Sequence, residues 1–119
     1  MLMLLVVAGI STFNSCKKQE PKQLPETITV SGQVTDKDRQ PFDGVNVYVY
    51  ESSFMVISIP VANTITDDNG LYQIEFSPEE GNSYSLRFET TKDGERYYHR
   101  YYLDPMEAEQ EYNVVLEKE

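Results

Sequence analysis

The sequence predicts an all-β protein, a sandwich of seven to eight short strands. Three observations carry that prediction. Five segments alternate apolar and polar residues with period two. Turn-forming residues separate these segments at roughly 8–12-residue spacing. Beyond the first sixteen residues, no stretch sustains the 3.6-residue apolar period of a surface helix over roughly ten residues. At 119 residues the chain is long enough for one domain with one core.

The elements follow in order. Ile28, Val30 and Val34 alternate with Thr29, Ser31 and Thr35, with Gly32 interrupting. Val45, Val47 and Val49 alternate with Asn46, Tyr48 and Tyr50. Between these two strands, Pro41 and Gly44 punctuate a turn. Phe54 to Thr66 is less regular, and Pro60 is expected to split it into two short pieces, one an edge strand. Asp67-Asp68-Asn69-Gly70 ends in Asn-Gly, a strong hairpin signal, and leads into Tyr72, Ile74 and Phe76. Pro78 and Gly81 mark the next loop, before Tyr84, Leu86 and Phe88. Lys92-Asp93-Gly94 is another tight reversal. Glu107 to Glu111 admits one helical turn, and Tyr112, Val114 and Leu116 form the last alternating run. Each strand so predicted has one face in the core and one in water.

Composition excludes several functions. Twenty acidic residues against ten basic ones give a net charge of −10, which speaks against nucleic-acid binding. A single Cys forbids an internal disulfide, and a single His, His99, rules out a His-rich zinc site. Asp67, Asp68 and Asn69 offer oxygen donors for calcium, but the EF-hand spacing is absent and a hairpin turn accounts for them. No nucleophile elbow accompanies His99, and the acid pairs Glu79-Glu80 and Glu107/Glu109 fall in loops. The sequence therefore predicts no catalytic residues, no cofactor and no metal.

One strand carries more than fold. In Arg96-Tyr97-Tyr98-His99-Arg100-Tyr101-Tyr102, placing Leu103 in the core turns Tyr97, His99 and Tyr101 inward. Arg96, Tyr98, Arg100 and Tyr102 then face out as an aromatic and basic stripe on an acidic protein. Tyr and Arg are enriched at binding hot spots, which makes these four residues a candidate surface for a protein partner or a glycan. Cross-strand aromatic packing and Arg–Glu pairing are the competing explanation.

The N-terminus gives an address. Met1 to Ile10 is uncharged and too short to span a bilayer, which needs about 20 residues. It has the length of a secretory h-region, and Phe13-Asn14-Ser15-Cys16 follows it. That segment resembles the lipobox of bacterial lipoproteins, in the looser form familiar in the Bacteroidetes, with Cys16 as the acylated residue. Two departures stand beside the match: no Lys or Arg precedes the h-region, and Phe13 and Asn14 are atypical. Lys17 to Glu26 carries five charges and two prolines, a tether reaching at most about 35 Å. The expected organisation is a signal peptide over 1–15, lipidated Cys16 with its tether over 16–26, and the sandwich over 27–119.

The strands also carry a family resemblance. Val30 to Val49 reads VSGQVTDKDRQPFDGVNVYV, and Thr64 to Tyr72 reads TITDDNGLY. These runs resemble the carboxypeptidase regulatory-like domain, a transthyretin-like Greek-key sandwich. Gly32, Val34, Asp36, Pro41, Phe42, Gly44, Val45, Val47, Thr66, Asp67, Gly70 and Tyr72 stand at the family's pattern positions. Gly44 and Gly70 are expected to supply turns with positive φ, and Asp67 to bond backbone N–H groups in its own turn. Tyr72 is expected to pack beneath the hairpin with its hydroxyl on a polar partner. The resemblance implies a non-catalytic accessory domain, such as those beside metallocarboxypeptidases, on outer-membrane nutrient receptors or on secreted and surface proteins.

Together these readings predict a non-catalytic lipid-anchored envelope protein, an interaction or structural module at the outer membrane, its face left open. It would meet the membrane through its lipid and an envelope protein or glycan through the sandwich. A small-ligand binder or transport accessory is the alternative. A transthyretin-like hydrolase is weaker, since the Tyr-Arg-Gly-Ser signature of that type is missing.

Overall fold

The computed structural model describes residues 23–54 and 57–119; the predicted signal peptide, Cys16 and residues 17–22 of the predicted tether lie outside the described residues. Among the described residues eight strands form two four-stranded sheets. They are β1 (Ile28–Thr35), β2 (Asn46–Ser52), β3 (Ile59–Ile65), β4 (Leu71–Phe76), β5 (Ser83–Lys92), β6 (Glu95–Tyr102), β7 (Glu109–Glu111) and β8 (Val114–Val115). In the first sheet β1 pairs antiparallel with β4 and, on its other side, parallel with β7 and then β8. The second sheet runs β3-β2-β5-β6, antiparallel throughout.

The period-two alternation is realised as packing. Ile28, Val30 and Val34 of β1 meet Val47, Val49, Leu86 and Phe88 of the second sheet in one core, all fully buried. Fully burying a side chain of this size stabilises by about 1.5–3 kcal/mol. The intervening residues point outward, and the two outer faces differ. Thr29, Ser31, Gln73, Glu75, Glu109 and Glu111 make the first sheet's outer face polar and acidic. The second sheet presents Tyr48, Tyr50, Arg87, Tyr98, Arg100 and Tyr102.

Three segments depart from the sequence expectation. Pro60 does not split its segment: β3 is one strand at the edge of the second sheet, with Pro60 opposite Tyr50 beside a bulge at Val49/Tyr50. An edge with a bulge tolerates a residue that cannot donate to the ladder. Glu107 to Glu111 makes no helical turn. Asp104 closes a turn by accepting Met106 N–H at 2.9 Å, and Glu109–Glu111 then runs parallel to β1, opposite Thr29 to Ser31. The pairing satisfies the backbone while both Glu side chains stay in water. The last run is a strand only over Val114–Val115, although Val114 and Leu116 are buried as their alternation requires.

The turns use the predicted chemistry. Gly44 and Gly70 have φ of 72° and 75°. Asp67 Oδ1 accepts the N–H groups of Asn69 and Leu71, both at 2.9 Å. Asp93 and Gly94, with φ of 53° and 77°, form the β5–β6 hairpin, whose twist suits adjacent antiparallel strands. Pro41 bridges Thr35 across the β1–β2 connection.

Candidate functional site

The outward face of the second sheet is assembled from three neighbouring strands. On β6 the side chains alternate: Tyr97 and Tyr101 pack against the core, while Arg96, Arg100 and Tyr102 are exposed. Tyr98 lies on the outer side and is half-buried. Arg100 occupies the centre of this row. Its Nη1 donates to the Tyr102 hydroxyl at 2.9 Å and its Nε to the Tyr98 hydroxyl at 3.4 Å. These hydroxyls hold the Arg100 pKa above its ordinary value, the bond to Tyr98 first. Arg96 lies 5.5 Å from the centre of the Tyr98 ring and pairs with Glu89 at 3.3 Å and Glu119 at 3.4 Å. All four stripe residues thus share one face in contact with one another.

Sequence reasoning missed half of this face. β5 places Arg87 directly opposite Arg100, and β2 places Tyr48 directly opposite Arg87 on the other side. The Arg87 guanidinium stacks 3.8 Å from the centre of the Tyr50 ring, and Tyr50 meets Tyr48 edge-on at 6.0 Å. Ser85, flanked in register by Tyr50 and Tyr102, is thereby buried although it points outward. The signal available was the alternation of Tyr48 and Tyr50 with buried valines. It places them outward but does not say which strand lies beside them.

Behind the face lies an aromatic layer. Tyr112, between β7 and β8, stacks on Tyr101 with centroids 3.7 Å apart, and its hydroxyl meets His99 Nε2 at 2.6 Å. Phe88 packs against both His99 and Tyr112. Burial lowers the His99 pKa and raises that of Tyr112. The chain's single His is therefore half-buried and engaged by the Tyr112 hydroxyl.

The fingerprint residues hold structure. The Tyr72 hydroxyl donates to the Tyr112 carbonyl at 2.6 Å, and burial pushes its pKa up. A Cβ on Gly32 would collide with that same carbonyl, so Gly32 is what lets the β7–β8 segment lie against β1. At Gly70, positive φ combines with a close approach to the Val34 carbonyl. Thr66, buried, donates to the Phe42 carbonyl at 2.7 Å and accepts Val45 N–H at 2.9 Å. Between the first sheet and the end of β3, an open groove of about 650 Å³ is bordered by Ser31, Gln33, Gln73, Glu111 and Asn113 on one side and Thr64 and Ile65 on the other. Among the described residues it brings together no cationic side chain and no His. Among the described residues no three His, Cys, Asp or Glu side chains converge as metal ligands.

No curated protein matches the chain. Among solved structures it is similar to a 9R-lipoxygenase from Cyanothece, at 14% identity and a TM-score of 0.49, over 84% of this chain and 19% of that one. It is also similar to 3-chlorocatechol 1,2-dioxygenase from Rhodococcus Opacus, at 15% identity and a TM-score of 0.53, over 79% of this chain and 60% of that one. The chain thus spans 19% and 60% of those two proteins' lengths, and the dioxygenase likeness is one of fold alone. The sequence profile of the carboxypeptidase regulatory-like domain matches residues 29–117, nearly the whole sandwich from β1 to beyond β8. The chain therefore belongs to the carboxypeptidase regulatory-like domain family.

Proposed function

We propose that the protein is a non-catalytic envelope module, anchored by lipid on Cys16, that binds a partner through the outer face of its second sheet. The observation that carries this reading is the Arg100 guanidinium held between the Tyr98 and Tyr102 hydroxyls on an exposed strand. A cation fixed by neutral hydroxyls keeps its charge available to a ligand. The exposed Tyr102 ring and the half-buried Tyr98 ring beside it add flat contact area at low entropic cost. Tyr102 is 69% exposed, and folding gains little from leaving a ring in water.

The anchor reading rests on the placement of Cys16 directly after the apolar leader. Stable attachment takes two or more acyl chains, because one alone binds only marginally. The bacterium in question would be of the Bacteroidetes type that the lipobox resembles. Such an anchor would leave the sandwich on a short tether entering at β1.

Two measurements test the proposal. Expressed from its full precursor, the protein should incorporate a clickable fatty acid and fractionate with membranes, and Cys16→Ala should do neither. Equal labelling of the variant would end the anchor reading. On a glycan array and against immobilised envelope proteins, the Tyr98→Ser/Tyr102→Ser double variant should bind at least tenfold more weakly at an unchanged Tm. Binding equal to wild type for every ligand would remove the face.

A further inference from the structure

The centre of this face holds an arrangement that folding alone does not explain. Arg87 on β5 and Arg100 on β6 stand directly opposite each other in the antiparallel register, both outward. Like charges in directly opposed cross-strand positions destabilise a sheet. Acidic residues outnumber basic ones two to one in this chain, so a carboxylate neighbour is the easier outcome. Among the described residues, however, both ion pairs are made by Arg96, with Glu89 and Glu119. Arg87 and Arg100 have none. Arg87 Nε, part of the guanidinium stacked on Tyr50, is shut away from solvent without a hydrogen-bond partner. Stacking on Tyr50 positions the first guanidinium, and hydrogen bonds to Tyr98 and Tyr102 position the second.

Two fixed, adjacent guanidinium groups without a counter-charge form a receptor for a planar anion, since the Arg fork matches a carboxylate bidentately. The surroundings select the kind of molecule that carries it. Tyr48 and Tyr50 flank the cations on the β2 side, and Tyr98 and Tyr102 flank them along β6. The aliphatic face of a pyranose ring lies flat on such rings. The platform spans about 10 Å from β2 to β6, two strand spacings, so a ligand lies across it rather than entering it. An extended acidic peptide would instead want a free strand edge beside the cations. β2 and β5 are interior strands, and the C-terminal segment meets the open side of β6 at its first residues, where Glu119 N–H donates to the Arg96 carbonyl at 2.8 Å and Tyr97 bridges Lys118.

We propose that Arg87 and Arg100 together bind the carboxylate of a uronic-acid polysaccharide lying across the Tyr-flanked face of the second sheet. This rests on the reading of that face as the binding surface, and it adds the ligand's chemical class and the residues that select it.

The test uses the full mature protein, in detergent if lipidated, with polygalacturonate as the probe and its fully methyl-esterified form as the uncharged control. Wild type should bind polygalacturonate at least tenfold more tightly than the ester. Arg100→Gln should weaken polygalacturonate binding at least tenfold with Tm unchanged or raised, because an opposed charge is gone. Arg87→Lys, which keeps the charge and loses the fork, should also weaken it. Lys37→Gln, an exposed cation off this face, should bind as wild type. Equal binding of polymer and ester, or wild-type affinity in Arg100→Gln, would overturn the proposal. Polyglutamate binding as tightly as polygalacturonate would overturn it in favour of an acidic protein segment. If Tyr98→Ser/Tyr102→Ser loses an array ligand that Arg100→Gln retains, the face stands and the uronate assignment alone fails. If both variants keep every ligand, the face reading fails as well.

Discussion

Replacing Gly32 with Ala should destabilise the sandwich by about 2–3 kcal/mol, although the backbone there is open to any residue. Gly32 is not among the positive-φ glycines, so its conformation carries no penalty for a side chain. The obstacle is the Tyr112 carbonyl, with the Asn113 Oδ1 also only 3.1 Å from the new Cβ. To admit a methyl group the β7–β8 segment must move off β1. Three hydrogen bonds then go: Tyr112 N–H to the Ser31 carbonyl at 2.9 Å, Tyr72 hydroxyl to the Tyr112 carbonyl at 2.6 Å, and Gln33 N–H to Asn113 Oδ1 at 2.8 Å. At about 1 kcal/mol each these sum to roughly 3 kcal/mol, with some loss of Tyr112 packing besides. Reduced chain entropy in the unfolded state offsets about 0.4–1 kcal/mol. The net is a large share of the 5–15 kcal/mol typical of a domain. The control is Gly44→Ala, where φ is 72° but nothing lies within 4 Å of a Cβ. It should cost only the left-handed penalty of about 1–2 kcal/mol. Urea unfolding of the protein, followed by circular dichroism, separates the two through their midpoints at constant m. A Gly32→Ala midpoint at or above that of Gly44→Ala would refute the close-approach argument.

Two further outcomes follow from β6. Tyr101→Ser should cost about 2 kcal/mol, since Tyr101 is packed on the core and stacked on Tyr112, whereas Tyr102→Ser should cost less than about 1 kcal/mol; the reverse order by thermal melting would mean that the two faces are interchanged. Burial lowers the His99 pKa below the ordinary 6.5, so the unfolded chain takes up a proton at a higher pH than the folded one. Its contribution to stability is complete above 6.5 and is lost as the pH falls from there to the lowered folded value. The wild-type midpoint should start to drop in that range, well before ordinary carboxylates titrate near about 4, and His99→Gln should flatten this part of the curve. Parallel pH profiles of the two proteins there would show that another group is responsible.

What the sequence determined by itself was local. Alternation in the Val45–Val49 and Tyr84–Phe88 runs follows from the pleat, which sends successive side chains to opposite faces whatever lies beyond. The same rule put Arg96, Tyr98, Arg100 and Tyr102 on one side of their strand before any neighbour was known. Turn residues were legible because positive φ at Gly44 and Gly70, and the Asx bonds of Asp67, act within a few positions. The family was legible because its pattern is made of those turns and strands.

Only the tertiary structure decided which strands stand side by side. β5 lies between β2 and β6, and that adjacency alone sets Arg87 against Arg100 and brings Tyr48 and Tyr50 to the same surface. Nothing near Glu109 marks it as a strand, because its partner is β1, some eighty residues earlier, and a parallel pairing leaves no turn in the sequence. Pro60 reads as a break until the structure places it on an edge beside a bulge. Gly32 reads as a weak point in a strand until Tyr112 arrives against it. Alternation and turns are written in neighbouring residues, whereas pairing and close approach are settled when distant segments compete to cover one core.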